Sequence, residues 1–388
     1  MVAAQASGAG TKAVIAGAGP AGDAVAAGLR DAGFDGTIVL IGAEPEPPYE
    51  RPHLSKGYLA GTVPREKLPL RPPQQYRDMQ VDLVLGEHVV DFGIERRAVT
   101  TRSGKTFAWD LLCIATGSTA RSLPGGFVLR SLQDADHLRR LIERRTSIHI
   151  VGAGFIGCEV AAVAVEKGCE VRVFEALEQP LVRVLGPELG AFLAAVHRGH
   201  GVDLRLNTQL PALDGPFLAA AGSEPQVFEA GLAGLRIERG IVVDELGRAS
   251  AEGVFAAGDV TRFAHPLFAT RIRVEHFQTS QRQGFAVGRA MAGQGKPFAE
   301  VPWFWSDQYD LNLQYAGVGL PWDEIVVRGD FGRPPFTVFY LGGGALLGVA
   351  GVNDHHTVAR ARHLMEAGRS ISAQQLEDPT FDLRRALA

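Results

Sequence analysis

Short apolar runs, each too brief for a helix, recur along this chain and stop at glycine turns. Lys12-Ala13-Val14-Ile15-Ala16 is strand-like and ends in Gly17-Ala18-Gly19-Pro20-Ala21-Gly22; Asp23 to Ala32 then has helical spacing, and Thr37 to Ile41 is a second strand-like run. A second unit of the same order begins at Ser147. Its strand is Ile148 to Val151, its turn Gly152-Ala153-Gly154-Phe155-Ile156-Gly157, its helix runs to Lys167, and Glu170 to Phe174 closes it. The two βαβ units lie about 135 residues apart, the mark of a duplicated fold and not of a short-period repeat. After residue 300 the texture changes: Val301 to Gln308 is aromatic-rich, strand-like runs such as Phe336 to Leu341 follow, and Thr357 to Ala367 is helix-like, which predicts a third domain of α+β type.

Length and composition fit that picture. A chain of 388 residues suggests two to three domains, and 46% hydrophobic with 21% charged residues excludes a disordered or fibrous protein. Glycine is in excess, at 47 residues, without a Gly-X-Y period or a Gly/Ser linker to absorb it. The balance of 39 basic against 43 acidic residues, net -4, speaks against a broad nucleic-acid footprint. Cys113, Cys158 and Cys169 form no CxxC pair and point to a reducing compartment. No run approaches 18 apolar residues and the N-terminus lacks the features of a signal peptide. The expectation is a cytoplasmic protein with no membrane segment, no metal site and a flexible tail over residues 1–10.

The glycine turns carry the chemistry. In a GxGxxG turn the first glycine permits the bend, the second lets backbone N–H groups approach a pyrophosphate, and the third lets helix and strand pack closely. An acid follows each turn near the end of the next strand, Glu44 after the first and Glu175 after the second. That placement suits an unphosphorylated ribose 2′-hydroxyl and repels a 2′-phosphate. Two such sites in one chain suggest FAD in one and NADH in the other. Two further glycine motifs, Thr116-Gly117-Ser118 and Gly253-Val254-Phe255-Ala256-Ala257-Gly258-Asp259, end strand-like runs.

With these motifs the sequence resembles the two-dinucleotide-binding flavoproteins, and specifically the NADH-dependent ferredoxin reductases of bacterial oxygenase and cytochrome P450 systems, the putidaredoxin reductase and aromatic-ring dioxygenase reductase type. The resemblance spans Lys12 to Asp382. Its most selective stretches are Tyr49-Glu50-Arg51-Pro52-His53-Leu54-Ser55-Lys56, Val151 to Glu159, Val184-Leu185-Gly186-Pro187-Glu188 and Pro302-Trp303-Phe304-Trp305-Ser306-Asp307-Gln308. It implies an α/β fold of two Rossmann-like dinucleotide-binding domains, glutathione-reductase-like, plus a C-terminal α+β domain. The FAD domain would comprise 11–118 and 246–299, the NADH domain 119–245 and the C-terminal domain 300–388.

Residue by residue, the resemblance implies that Gly17, Gly19, Pro20, Ala21 and Gly22 cradle the FAD pyrophosphate and that Glu44 holds the adenosine ribose. Arg51 and Lys56 lie along the flavin, Val89 lines the adenine region, and Ala115, Thr116, Gly117 and Arg130 pass close to the cofactor. Asp259 binds the ribityl or pyrophosphate end, and the backbone of Glu275, His276 and Phe277 reaches the pyrimidine ring. Gly152, Gly154, Phe155, Ile156, Gly157 and Glu175 form the NADH site, with Arg183 and the turn at Gly222 beside it. The implied catalytic pair is Lys56 with Glu159, placed near flavin N5; read alone, such a lysine is a solvated surface charge. Trp305 lies against the isoalloxazine by the resemblance and in a domain core by composition. His355-His356 reads as a solvated loop.

The implied partner is an acidic [2Fe-2S] ferredoxin, Rieske-type or putidaredoxin-like, that supplies a terminal oxygenase or cytochrome P450. Arg65, Lys67 and Arg71 are candidate docking cations, or scattered solvated charges. Rubredoxin reductase, and a redox-responsive interaction flavoprotein resembling apoptosis-inducing factor, are the alternatives. One departure stands out: relatives carry an extra β-meander between Val202–Leu206 and Gly240–Asp244, and here the chain passes almost directly from Asp214-Gly215 to Phe217–Gln226.

Overall fold

The computed structural model describes residues 10–209, 213 and 215–387. The expected tail, residues 1–10, lies outside the described residues except for Gly10, as does Asp214 of the shortened stretch. The described chain folds as two compact units, one built from residues 10–50, 66–119 and 224–300, the other from 51–65, 120–223 and 301–387.

The first unit is organised by a five-stranded parallel sheet. Its order is Val254–Ala256, Leu111–Ile114, Lys12–Ala16, Thr37–Ile41 and Val81–Val84. Ala13 to Ala16 are fully buried, as a central parallel strand covered on both faces requires, which is why the run is continuously apolar and not alternating. Ala16 pairs with both Ile41 and Ile114, so three strands deliver their carboxyl ends to one edge of the sheet. The helix after the first turn runs Pro20–Asp31, three residues earlier than the sequence pattern predicts. Proline suits that first helical position because its missing N–H would have had no partner there. A second helix, Phe277–Met291, lies directly on it. Cβ atoms at Gly28, Gly284 and Gly288 would sit 2.2–2.4 Å from carbonyl oxygens of the opposite helix, so the two backbones touch through glycine.

The second unit holds another five-stranded parallel sheet, in the order Asp203–Arg205, Val171–Phe174, Ile148–Val151, Phe217–Ala219 and Gly126–Phe127. Phe217–Ala219 pairs directly with the central strand, Ile150 beside Leu218 and Val151 beside Ala219. The chain therefore crosses from Asp203–Arg205 straight to the next parallel strand, with no meander strand between them among the described residues. The helix Phe155–Glu166 follows the second glycine turn. The same unit contains a five-stranded antiparallel sheet, in the order Trp303–Gln308, Leu311–Gly317, Ala345–Val352, Phe336–Gly342 and Glu324–Gly329. The helix His355–Glu366 buries Val358, Ala361 and Leu364 against it. His355 and His356, expected in a loop, open that helix behind an Asp354 cap and remain exposed.

The helix Val182–Gly199 is interrupted at Gly186, whose φ of 80° is non-helical, and Pro187 restarts it. The Val184–Glu188 motif is therefore a kink. Beyond it, the last turn carries His197 into the protein interior.

Candidate cofactor-binding sites

In the first unit the glycine turn leaves the central strand at its carboxyl end. Gly17 has φ 119°, and a Cβ there would meet the Ala115 carbonyl oxygen at 2.1 Å; a Cβ at Gly22 would meet the Gly17 oxygen at 1.9 Å. Gly19, between them, caps the helix and faces open space, with nothing within 4 Å of a Cβ position. The turn is packed tight on the sheet side and left clear above the helix N-terminus, the shape a pyrophosphate needs.

Of the other predicted FAD residues of this unit, Ala115 to Gly117, Glu44 and Asp259 follow the carboxyl ends of strands in the same sheet. Ala115, Thr116 and Gly117 leave the neighbouring strand, and Thr116 Oγ1 donates to the Gln226 carbonyl at 3.1 Å while Gln226 N–H returns a bond to Gly117. Glu44 follows the second strand and accepts from Tyr49 OH at 2.7 Å. Asp259 follows Val254–Ala256; its two oxygens accept from Ser118 (3.0 Å) and Ser280 (2.7 Å). Gln283 accepts the Gly258 N–H at 2.8 Å and so fixes that turn. Glu275 and His276 precede the helix Phe277–Met291, so Phe277 presents a first-turn N–H that no helical carbonyl takes. Burial pushes the His276 imidazole down to about 4, against a weaker pull from Asp259. Val89 is buried at the start of the strand Val89–Asp91. Gln226, Ser118, Ser280 and Gln283 were not predicted. Ser118 alone had a local signal, as part of the Thr-Gly-Ser motif.

The second unit repeats the turn closely. Gly152 has φ 104° and its Cβ would meet the Ala220 oxygen at 2.4 Å; that of Gly157 would meet the Gly152 oxygen at 2.0 Å; Gly154 faces open space. Glu175 closes the loop from the other side, accepting from Ala153 N–H at 2.7 Å and from Leu177 N–H at 2.9 Å. Leu181 N–H donates to the Ala153 carbonyl at 3.1 Å, which anchors the helix bearing exposed Arg183 to this turn. Phe155 packs edge-on to Phe304 with ring centroids 4.5 Å apart, while Ile156 is exposed at the helix start. Gly222 is an exposed turn residue with φ 97° whose carbonyl accepts from Arg121 N–H. Both turns fit a dinucleotide on the same structural ground, a cradle that side chains would fill.

Lys56, Glu159 and Trp305 also meet in this unit. Lys56 Nζ lies 2.7 Å from Glu159 Oε1, with side-chain exposures of 12% and 4%, and 5.9 Å from the centroid of the Trp305 ring. Ser55 Oγ donates to Glu159 Oε2 at 2.5 Å and Ser306 Oγ to Oε1 at 2.6 Å. Lys56 is therefore no solvated surface charge: it serves a buried carboxylate and holds its ammonium beside an indole face. Both serines sat inside the quoted motifs without an assigned role. Arg51 donates to the Arg130 carbonyl at 2.6 Å, bringing those two predicted residues together.

Two of the candidate docking cations are otherwise engaged. Arg71 pairs with Asp23 at 2.8 Å, and Tyr76 OH donates to the same buried carboxylate at 2.7 Å. Arg65 pairs with Asp136 at 3.1 Å. Lys67 is exposed.

Comparison with known proteins accords with this geometry. Residues 11–216 and 215–284 match the family described as pyridine nucleotide-disulphide oxidoreductase, and residues 303–387 match the reductase C-terminal domain. Rhodocoxin reductase of Rhodococcus erythropolis is 35% identical over 401 aligned residues, covering 97% of this chain and 94% of that protein. The ferredoxin–NAD(+) reductase component of the anthranilate 1,2-dioxygenase system of Burkholderia cepacia is 36% identical, covering 96% and 98%. The chain belongs to the pyridine nucleotide-disulphide oxidoreductase family. Within the family, the covalent putidaredoxin reductase–putidaredoxin complex contains a chain of the same fold, with TM-score 0.94, 31% identity and coverage of 98% and 99%. No disulphide joins the three cysteines of the chain. Cys113, Cys158 and Cys169 are buried free thiols, and burial pushes all three upward in pKa, away from a reactive thiolate.

Proposed function

We propose that this protein takes hydride from NADH onto FAD and delivers electrons singly to a [2Fe-2S] ferredoxin, Rieske-type or putidaredoxin-like, that supplies a terminal oxygenase or cytochrome P450. The observation that carries the reading is the pair of matching glycine cradles, each followed by an acid, in a chain whose thiols are all buried. The relatives' names add the acceptor class.

Gly17 to Gly22, Glu44, Val89, Ala115 to Gly117, Asp259 and the Glu275–Phe277 backbone would hold FAD, with Arg51, Lys56, Arg130 and Trp305 along the flavin. Gly152 to Gly157, Glu175, Arg183 and Gly222 would hold NADH. The segments 11–118 with 246–299, 119–245 and 300–388 then act as FAD, NADH and C-terminal domains. Bound FAD supplies the ability to accept two electrons together and release them one at a time. The chain supplies alignment and charge. The first-turn N–H groups at both helix N-termini receive pyrophosphates. Glu175 selects an unphosphorylated ribose, and Lys56, fixed by Glu159, offers a positive charge where negative charge develops. No described helix is long and apolar enough to cross a membrane, and we place the activity in the cytoplasm.

Anaerobic stopped-flow mixing with NADH tests the reading. Wild-type flavin should bleach and then reoxidise on addition of a [2Fe-2S] ferredoxin, in preference to rubredoxin. Lys56→Met should slow bleaching more than tenfold, the scale of losing one charge-stabilising donor, with FAD content unchanged. A flavin that NADH does not reduce would overturn the assignment.

A further inference from the structure

Behind the Lys56–Glu159 pair runs a hydrogen-bonded chain that the proposed electron transfer leaves unused. Ser306 Oγ donates to Glu159 Oε1 at 2.6 Å, and Gln308 Nε2 donates to Ser306 Oγ at 3.1 Å. His197 Nε2 lies 3.0 Å from Gln308 Oε1, and His197 Nδ1 lies 2.9 Å from Tyr309 OH. Ser306, Gln308 and His197 are at most 2% exposed. They come from an edge strand and from the last turn of a helix more than a hundred residues away, so no local requirement places them in line.

The chain has a polarity. Gln308 gives its N–H to Ser306, so its oxygen faces His197, which must carry its proton on Nε2; Nδ1 is then the acceptor for Tyr309. Burial pushes the Tyr309 phenol upward in pKa, which keeps it a donor. Every bond thus donates toward Glu159, where Lys56 and Ser55 add theirs. The reverse arrangement is also self-consistent within the chain, with Ser306 donating to Gln308, Gln308 to His197 Nε2, and His197 Nδ1–H to Tyr309. It would turn lone pairs of Ser306 onto a carboxylate oxygen 2.6 Å away, a repulsion relieved only by a proton on that carboxylate. An interior polar chain of this kind polarises its members cooperatively.

We propose that Ser306, Gln308 and His197 are positioning residues: they orient the Glu159 carboxylate toward Lys56 by donating to its charge, and the tautomer of His197 is tied to that charge. Gln308 is an amide, so the chain aligns dipoles and does not conduct protons. The groups facing His197 are Gln308, Tyr309 and His200, the last stacked on Tyr309 at 3.7 Å; beyond Tyr309 lie Cys158 and Glu166. The functional weight of this device rests on the flavin-side reading of Lys56, whereas the tautomer does not.

The test is ¹⁵N NMR of histidine-labelled oxidised holoprotein, with His197 assigned by its loss in His197→Asn. Wild type should show one neutral Nε2–H tautomer, retained on acidification well below the ordinary value of 6.5. Ser306→Ala, which removes a single oxygen, should release the tautomer into a mixture and slow flavin reduction by NADH about tenfold, the scale of one bond to a charged group. Gln308→Leu should do the same. The double variant should be no slower than either single one, because both cut one chain. A Nδ1–H tautomer in wild type overturns the proposal, as does an unchanged tautomer and rate in Ser306→Ala. Rate losses that multiply in the double variant overturn it too. A wild-type flavin inert to NADH would instead remove the enzyme reading while the tautomer still reports on the chain.

Discussion

In the function proposed above, Glu175 serves both its loop and its ligand. Its two oxygens each take one backbone N–H, from Ala153 and Leu177, which leaves lone pairs on both for ribose hydroxyls. A 2′-phosphate would meet the same charge at hydrogen-bond distance. Glu175→Ala is therefore expected to raise the KM for NADH roughly tenfold, the scale of a hydrogen bond to a charged acceptor, and to narrow the preference for NADH over NADPH. Initial rates with both nucleotides measure this, and an unaltered preference would remove Glu175 from ribose selection. Arg71 shows the limit of residue-by-residue reading. In the sequence it is one cation among several, a candidate for docking. In the fold it neutralises Asp23 in the first turn of the helix that opens at Gly19. Substituting it probes an ion pair to a buried carboxylate and not a partner surface.

Between elements, the glycine surplus finds its second cause. The turns at Gly17–Gly22 and Gly152–Gly157 were legible because bend, close approach and following acid all lie within one βαβ unit. The glycines at 28, 284 and 288 were not, because each serves a helix far away in the sequence. The same holds for Ser306 and His197, whose partners lie on other elements. The start of the first helix was misread for a local reason, since Pro20 belongs to the turn motif and to the helix at once. What sequence patterns express is period and spacing; what they omit is which backbone comes to rest on which. Gly288→Ala tests the helix pair. Its Cβ would lie 2.2 Å from the Val25 carbonyl oxygen, so the helices must part. A loss of about 1–3 kcal/mol is expected, as for overpacking, together with easier release of FAD on dilution. Gly199→Ala, at a helix end with nothing within 4 Å of the new atom, should leave thermal midpoint and FAD retention unchanged. Equal behaviour of the two variants would mean that the glycine contact does not hold the helices together.

For the molecule as a whole, the net charge of -4 offers an acidic protein no long-range attraction. The interior makes a firmer statement about pH. His197 and His276 are both pushed by burial from 6.5 down to about 4, and His265 is lowered by the same cause. Each takes a proton more readily in the unfolded chain than in the fold. Their contribution to stability is therefore complete above about pH 6.5 and is lost as the pH falls through that value towards 4. For His197 alone the loss reaches on the order of 3 kcal/mol. The carboxylates act in a different window. Glu87, held down to about 2 by Lys105 and Ser103, and Asp382, held down to about 2 by Arg384, lose their contribution only below their ordinary values near 4.5 and 3.8. Between pH 6.5 and 4.5 the histidines dominate. Thermal midpoints of the holoprotein should be level from pH 8 to 7 and then fall steadily to pH 4.5, and His197→Asn should flatten that slope by nearly one proton. A wild-type midpoint unchanged between pH 7 and 5 would mean that these imidazoles are not buried in neutral form, and the tautomer-locked chain behind Lys56 would fall with them.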